Sequence, residues 1–152
     1  MILILHNLRS VLNVGAIFRT ADAVGVEKIY MAGFTPGPLD RFGRVRKDFH
    51  KAALGAELTV PWEGVPDIFE LLKKLKAESY QLTALEQDKR AIDYKKFRPS
   101  KKCALIVGNE VEGVSKEILE QCDKIIEIPM RGKKESLNVS VATGVALFRM
   151  LD

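Results

Sequence analysis

Six short, mostly apolar runs recur along the chain: residues 1–5, Lys28–Ala32, Glu57–Val60, Tyr80–Leu85, Cys103–Val107 and Asp123–Ile128. Each has the length of a strand, and most are separated by stretches whose apolar residues recur at helical spacing. Two short strands around one helix make a βαβ unit, and repeating that unit selects a parallel sheet. The spacing therefore predicts a single α/β domain over 1–152, with a mostly parallel six-stranded sheet and helices on both faces. Pro61 and Pro129 end two of the runs, because proline cannot donate a ladder hydrogen bond.

The helical stretches carry their own punctuation. Val14, Ile17, Phe18, Ala21 and Val24 form an apolar stripe on a helix that Asn13 can cap and Gly25 stops. Gly15 and Arg19 share a face four residues apart, which leaves room for the Arg19 side chain to lie back across the helix start. Pro66 opens a second helix, with Ile68, Leu71, Leu72 and Leu75 inward and Lys73, Lys74 and Lys76 outward. Ser115 caps a short helix to about Cys122. Asn138 caps the last helix, which carries only Arg149 as a charge before the terminal residue and repeats Val141, Val145 and Phe148 at helical spacing. A helix apolar on most sides is expected to lie buried between other elements.

Composition narrows the function classes. A chain of 152 residues fits one domain with one substantial core. Cys103 and Cys122 are too few and too far apart for a disulfide framework or a zinc site, and His6 and His50 lack metal-ligand spacing, so no metal is expected. The apolar start is too short for a signal sequence, and no run is long enough to span a bilayer. The expectation is a cytoplasmic protein with reduced thiols and no membrane partner. The net charge of +4 allows a polyanionic partner. Arg41, Arg44, Arg46, Lys47 and Lys51 crowd one segment, with Phe42, Phe49 and His50 interleaved. Either a solvated face or a nucleic-acid track has that pattern.

In open α/β sheets, ligands sit beyond the carboxyl ends of strands. Three polar clusters fall there: Asn7–Asn13–Arg19, Gly108 to Gly113, and Pro129–Ser136–Asn138. The chain has no G-x-G-x-x-G, no G-x-x-x-x-G-K-[ST] and no G-x-S-x-G. The residues by themselves define a small-ligand site of open chemistry in a basic domain.

Taken as an ordered set, three segments carry more. NLRSVLNVGAIFRTADAVGV (7–26), ALIVGNEVEGVS (104–115) and IEIPMRGKKESLNVSVATGVALFRM (126–150) resemble the three motifs of the SpoU/TrmH-type RNA 2′-O-ribose methyltransferases of the SPOUT superfamily. HKAALGAE (50–57) resembles the usual stretch between the first two motifs. The resemblance implies a C-terminal deep trefoil knot, S-adenosyl-L-methionine as cofactor, tRNA or rRNA as partner, and a homodimer with RNA sites shared between subunits. It implies cofactor contacts from Thr83, Ala84 and Leu85, from Gly108, Asn109 and Gly113, and from Ile128, Met130, Ser136 and Leu137. The catalytic group it implies is Arg19, Asn13, Glu110, Ser136 and Asn138, with Arg19 described in the family as a base. A guanidinium stays protonated, so a phosphate clamp and stabiliser of the attacking oxygen is the preferred alternative for Arg19. Arg9, Arg41, Arg44, Arg46, Lys47 and Lys51 are the expected RNA contacts. Larger members of the family carry a separate RNA-binding extension, and none is expected here. A non-catalytic RNA-binding or ribosome-assembly protein on the same scaffold is the rival reading.

Overall fold

Cys103–Val107 is apolar at every position, as a strand covered on both faces must be. The computed structural model, which describes residues 1–152, buries all five in the middle of a sheet. Seven strands form it: β1 (Ile2–His6), β2 (Lys28–Ala32), β3 (Trp62–Val65), β4 (Gln81–Leu85), β5 (Ile92–Asp93), β6 (Cys103–Val107) and β7 (Lys124–Glu127). Their order is β3-β2-β1-β6-β4-β7-β5, and every pairing is parallel.

Alternate residues of the inner strands feed two apolar cores. Leu3, Leu5, Leu105 and Ile126 pack on one face with α1 (Val11–Val24), α2 (Lys47–Ala53) and α5 (Val139–Met150). Ile2, Ile4, Ile106 and Ile125 pack on the other with α3 (Ile68–Ala77) and α4 (Lys116–Gln121). Each fully buried Leu or Ile contributes about 1.5–3 kcal/mol relative to exposure. No helix is long and apolar enough to cross a membrane.

The sheet departs from the sequence expectation in two places. It has seven strands, not six, because Ile92–Asp93 adds an edge strand inside the charged connection. Two residues are too short to show an alternation, so nothing in the pattern marks them. The third strand lies at Trp62–Val65, beyond Pro61, while Ala56–Leu58 is a 3-10 turn. Gly55, at φ +86°, sets that turn, and the Glu57 carboxylate is drawn back to the His50 ring. The Pro61 carbonyl accepts from Ile29 N (2.9 Å), so proline opens the strand here instead of closing one.

The helices are also corrected in detail. The N-cap of α1 is Ser10, whose hydroxyl accepts from Asn13 N, so Asn13 sits inside the first turn. The basic segment, for which the sequence pattern names no element, forms α2 from Lys47 onward, with Phe49 buried edge-on against Phe18, ring centroids 5.1 Å apart. Gly15 faces α2 and leaves no space for Arg19: a Cβ there would lie 2.7 Å from the Ala52 Cβ and 3.0 Å from the Phe49 carbonyl. Helix α5 is not sheathed on all sides. Thr143, Ala146, Leu147 and Met150 face the core, while Val141, Val145 and Phe148 are exposed.

The close α1–α2 contact yields a stability prediction. Gly15→Val should destabilise the fold by about 1–3 kcal/mol, the usual range for overpacking, measured by urea denaturation. A midpoint equal to the parent's would show that the two helices part without cost.

Candidate functional site

The second motif is built around two glycines where any side chain would force its surroundings to shift. A Cβ on Gly108 would fall 2.4 Å from the backbone of Gly113. Gly113 has φ +69°, and a Cβ there would meet a Glu86 carboxylate oxygen at 2.1 Å. The same carboxylate accepts from Val114 N at 2.8 Å, so β4's exit is locked to this turn. Between the glycines, Asn109 is buried. Its Oδ1 accepts from Val111 N (2.8 Å) and Glu112 N (3.0 Å), and its Nδ2 donates to the Asn7 carbonyl (2.7 Å). A buried amide with its bonding capacity used in this way fixes a loop that has little other structure.

Glu110 then reaches across to the first motif. Its carboxylate accepts from Arg9 N (3.0 Å to one oxygen, 3.2 Å to the other), from Ser10 N (3.1 Å) and from Asn13 Nδ2 (3.4 Å). Asn13 Oδ1 accepts in turn from Asn138 Nδ2 at 3.2 Å. Asn138 Oδ1 caps α5 by accepting from Ser140 N (2.8 Å). Thus one line of side-chain bonds, Glu110–Asn13–Asn138, ties together three segments that lie far apart in the chain. Burial opposes the Glu110 charge, but the Arg9 and Ser10 amides and Asn13 outweigh it and hold the carboxyl below its ordinary range.

Beside this line lies a cleft of about 240 Å³ at the carboxyl ends of β4, β6 and β7. Its lining comes from three loops: Leu85 to Gln87, Val107 to Gly113, and Glu127 to Leu137, with Val139 and Ala142 of α5 behind. Four glutamates line it, Glu86, Glu110, Glu112 and Glu127, and no lysine or arginine does. Phosphate-bearing ligands are disfavoured by that charge, and a cationic or neutral ligand is favoured. Neither cysteine offers a nucleophile: burial pushes the Cys122 thiol up to about 12 and raises that of Cys103 as well.

The expected cofactor residues Leu85, Gly108, Asn109, Gly113, Ile128, Met130, Ser136 and Leu137 all line the cleft. Thr83 and Ala84 do not. Both are fully buried inside β4, where the Thr83 hydroxyl faces the Cys103 sulfur at 3.6 Å. A strand on both of whose faces helices pack presents only its end to a ligand. Among the expected catalytic residues, Glu110 and Ser136 line the cleft, and Asn13 and Asn138 adjoin it through Glu110. Arg19 is not brought there. It leaves α1 about 120° around the helix from Asn13, is exposed, and lines no part of the cleft. Glu86 and Gln87 were missed as site residues. The Gln87 side chain donates to the Glu135 carbonyl at 2.6 Å, pinning the third loop. Their signal was present in the sequence: they are the first polar residues past β4, where a parallel sheet opens to ligand.

A parallel α/β sheet whose carboxyl edge is closed by three mutually bonded loops defines a small-ligand-binding domain. Residues 1–148 match the SpoU rRNA Methylase family. The chain is 36% identical over 148 residues to the tRNA (guanosine(18)-2′-O)-methyltransferase of Aquifex aeolicus, covering 97% of this chain and 67% of that protein. It is 36% identical over 149 residues to the 23S rRNA (guanosine-2′-O-)-methyltransferase RlmB of Escherichia coli K12, covering 97% and 58%. An AdoMet-bound rRNA methyltransferase from Sinorhizobium meliloti superposes with a TM-score of 0.88 at 28% identity, over 97% of this chain and 54% of that one. The chain belongs to the SpoU methylase family. It spans less than two thirds of the length of the rRNA-modifying relatives.

The Glu110 carboxyl has a lower pKa folded than unfolded, so its contribution to stability is present above the ordinary carboxylate value of 4.5 and fades as pH falls through the folded value. Glu110→Gln should therefore be less stable than the parent at pH 7, and the gap should close in acid. Denaturation midpoints across pH would check this, and a gap independent of pH would show that the ionised form gains nothing from these bonds.

Proposed function

We propose that this domain transfers a methyl group from S-adenosyl-L-methionine to a ribose 2′-hydroxyl in a structured RNA, tRNA or rRNA. The observation that carries the reading is the Glu110–Asn13–Asn138 line beside an acidic cleft, because it assembles the three family motifs into one site. The cleft fits the cofactor on its own chemistry. Gly108 and Gly113 allow close backbone approach to a flat ring. Ile128, Met130 and Leu137 supply apolar walls, and the carboxylates suit a cationic sulfonium. The cofactor supplies an electrophilic methyl carbon. The chain's own residues hold the loops rigid, exclude phosphate-bearing rivals and align the acceptor.

Arg19 is proposed to act on the RNA in a homodimer. Leu12 lies seven positions before it, on the same side of α1, and is 63% exposed. Val141, Val145 and Phe148 expose a neighbouring apolar face, which runs on to Ala16 and Thr20 of α1. A second copy on this face would cover it and carry Arg19 to the partner's cleft. There the guanidinium would clamp a phosphate and stabilise the attacking oxygen, a role suited to a group that stays charged. Arg9, Arg41, Arg44, Arg46, Lys47 and Lys51 are proposed to track the RNA backbone. With RNA as the partner, the cytoplasm is the proposed location.

The proposed trefoil knot has support in the strand order. Strand β7 lies between β4 and β5, which residues 86–91 already join. The chain arrives from α4 on one face and leaves for α5 on the other, as passage through that connection would require.

The reading is tested by incubating the protein with labelled S-adenosyl-L-methionine and total RNA, followed by nucleoside mapping. Label in a 2′-O-methylated nucleoside is the expected result, and RNA binding without transfer would favour the non-catalytic rival. Arg19→Ala should abolish transfer while leaving cofactor affinity within about threefold, far less than the factor of ten that 1.4 kcal/mol represents. Loss of cofactor binding in calorimetry would refute this role. Phe148→Glu should yield a monomer in light scattering that still binds cofactor, and a dimer that survives it would place the interface elsewhere.

A further inference from the structure

The connection from β2 to α2 contains a small, fully specified turn. Asp40 N donates to the Arg44 carbonyl (2.8 Å) and Arg46 N to the Pro38 carbonyl (2.9 Å), pairing Leu39 with Val45. The Asp40 carboxylate accepts from Phe42 N (2.8 Å) and Arg44 N (3.0 Å), and its second oxygen binds the Arg44 guanidinium at 2.9 Å. Gly43, at φ +76°, completes the reversal. The chain is therefore bonded at each step up to the tip.

That order serves to display one side chain. Phe42 stands at the tip with 66% of its surface exposed. The guanidiniums of Arg41 and Arg44 lie 4.7 and 4.9 Å from its ring centre. Two cations against one aromatic fix the ring's orientation and add their own planar faces to it. Lys47 and Lys51 stand exposed on the helix that follows. Because every strand is parallel, this turn follows the same sheet edge as the cleft. Asn7 links the two: its carbonyl accepts from Asn109, and its Oδ1 accepts from Phe34 N (3.1 Å) at the start of the connection.

We propose that the Arg41–Phe42–Gly43–Arg44 tip is a stacking platform for an unpaired nucleobase of the RNA. The inference rests on the RNA reading above and adds a preference within it. Phosphate contacts hold single and double strands alike. An exposed aromatic ring with guanidiniums over it presents stacking planes that engage a base only when that base is free of its own stack. The surrounding positive charge selects a polyanion over an apolar protein partner, so the RNA itself is the occupant. The platform would seize a loop or bulge nucleotide and so bring single-stranded, structured regions to the cleft.

The test is the affinity of the 152-residue chain for a short single-stranded RNA and for a duplex of equal length, across a salt series. Phe42→Ala and Phe42→Leu should weaken single-strand binding by about five- to a hundredfold, with duplex affinity and the salt slope unchanged. Phe42→Trp should bind the single strand at least as well as the parent. Arg44→Ala should weaken both RNAs and lower the salt slope by about one. Parent-like single-strand binding by Phe42→Leu, or equal losses on both RNAs, would overturn the platform while leaving the RNA reading intact. Dissociation of a dimer by Phe42→Ala would also overturn it, since a second copy would then cover the ring. If the parent binds neither RNA yet still binds S-adenosyl-L-methionine, the RNA reading falls and this inference with it.

Discussion

The Glu110 carboxylate is the one group on which the geometry of this site turns. Helix α1 begins with free amides, and the loop before it has no ladder to join. An anion placed there by a loop a hundred positions away satisfies Arg9 N and Ser10 N and takes up Asn13 in the same contact. Asn13 is then set to receive Asn138, which starts α5. Remove the anion, and the start of the first helix, the glycine turn and the last helix lose their common reference. The buried Asn109 amide performs the complementary task on the other side, holding the turn to β1 through Asn7.

The site separates charge by place. The cleft holds carboxylates without a cation, whereas the β2–α2 connection and α2 carry Arg41, Arg44, Arg46, Lys47 and Lys51. A cationic small molecule and a polyanion would thus be drawn to different parts of one sheet edge. Two ligands of opposite charge need such a division if neither is to occupy the other's place.

Much of this was legible in the sequence, and the exceptions have physical causes. The runs at 1–5, 28–32, 80–85 and 103–107 are strands because fully buried parallel strands read as unbroken apolar runs. The caps Ser115 and Asn138 declare themselves because a side-chain oxygen before an apolar stretch has one obvious use. Glu57–Val60 misleads because its apolar character serves a 3-10 turn, and the strand waits until after Pro61. The outward set of Val141, Val145 and Phe148 has the same spacing as the buried set beside it, and periodicity cannot say which faces the sheet. At the site, glycine and amide positions were readable because each answers a local need. Thr83 and Ala84 were not, since whether a residue lies at a strand's end or one step inside depends on a register that no local pattern records. The line through Asn13 likewise depends on contacts between remote segments.

The position of β7 in the sheet bears on how the chain acquires its shape. It pairs with β4 and β5 on either side, while β1 pairs with β6 about a hundred positions away. Few of these pairings are local, so loop-closure entropy must be met before most of the ladder exists. Chains dominated by such distant contacts fold slowly, and their unpaired strand edges stay open to other molecules meanwhile. Strand β7, the last of the seven strands in chain order, is one of those that complete the interior of the sheet. Insertion of β7, more than formation of the first βαβ unit, would then set the pace at which the finished sheet appears.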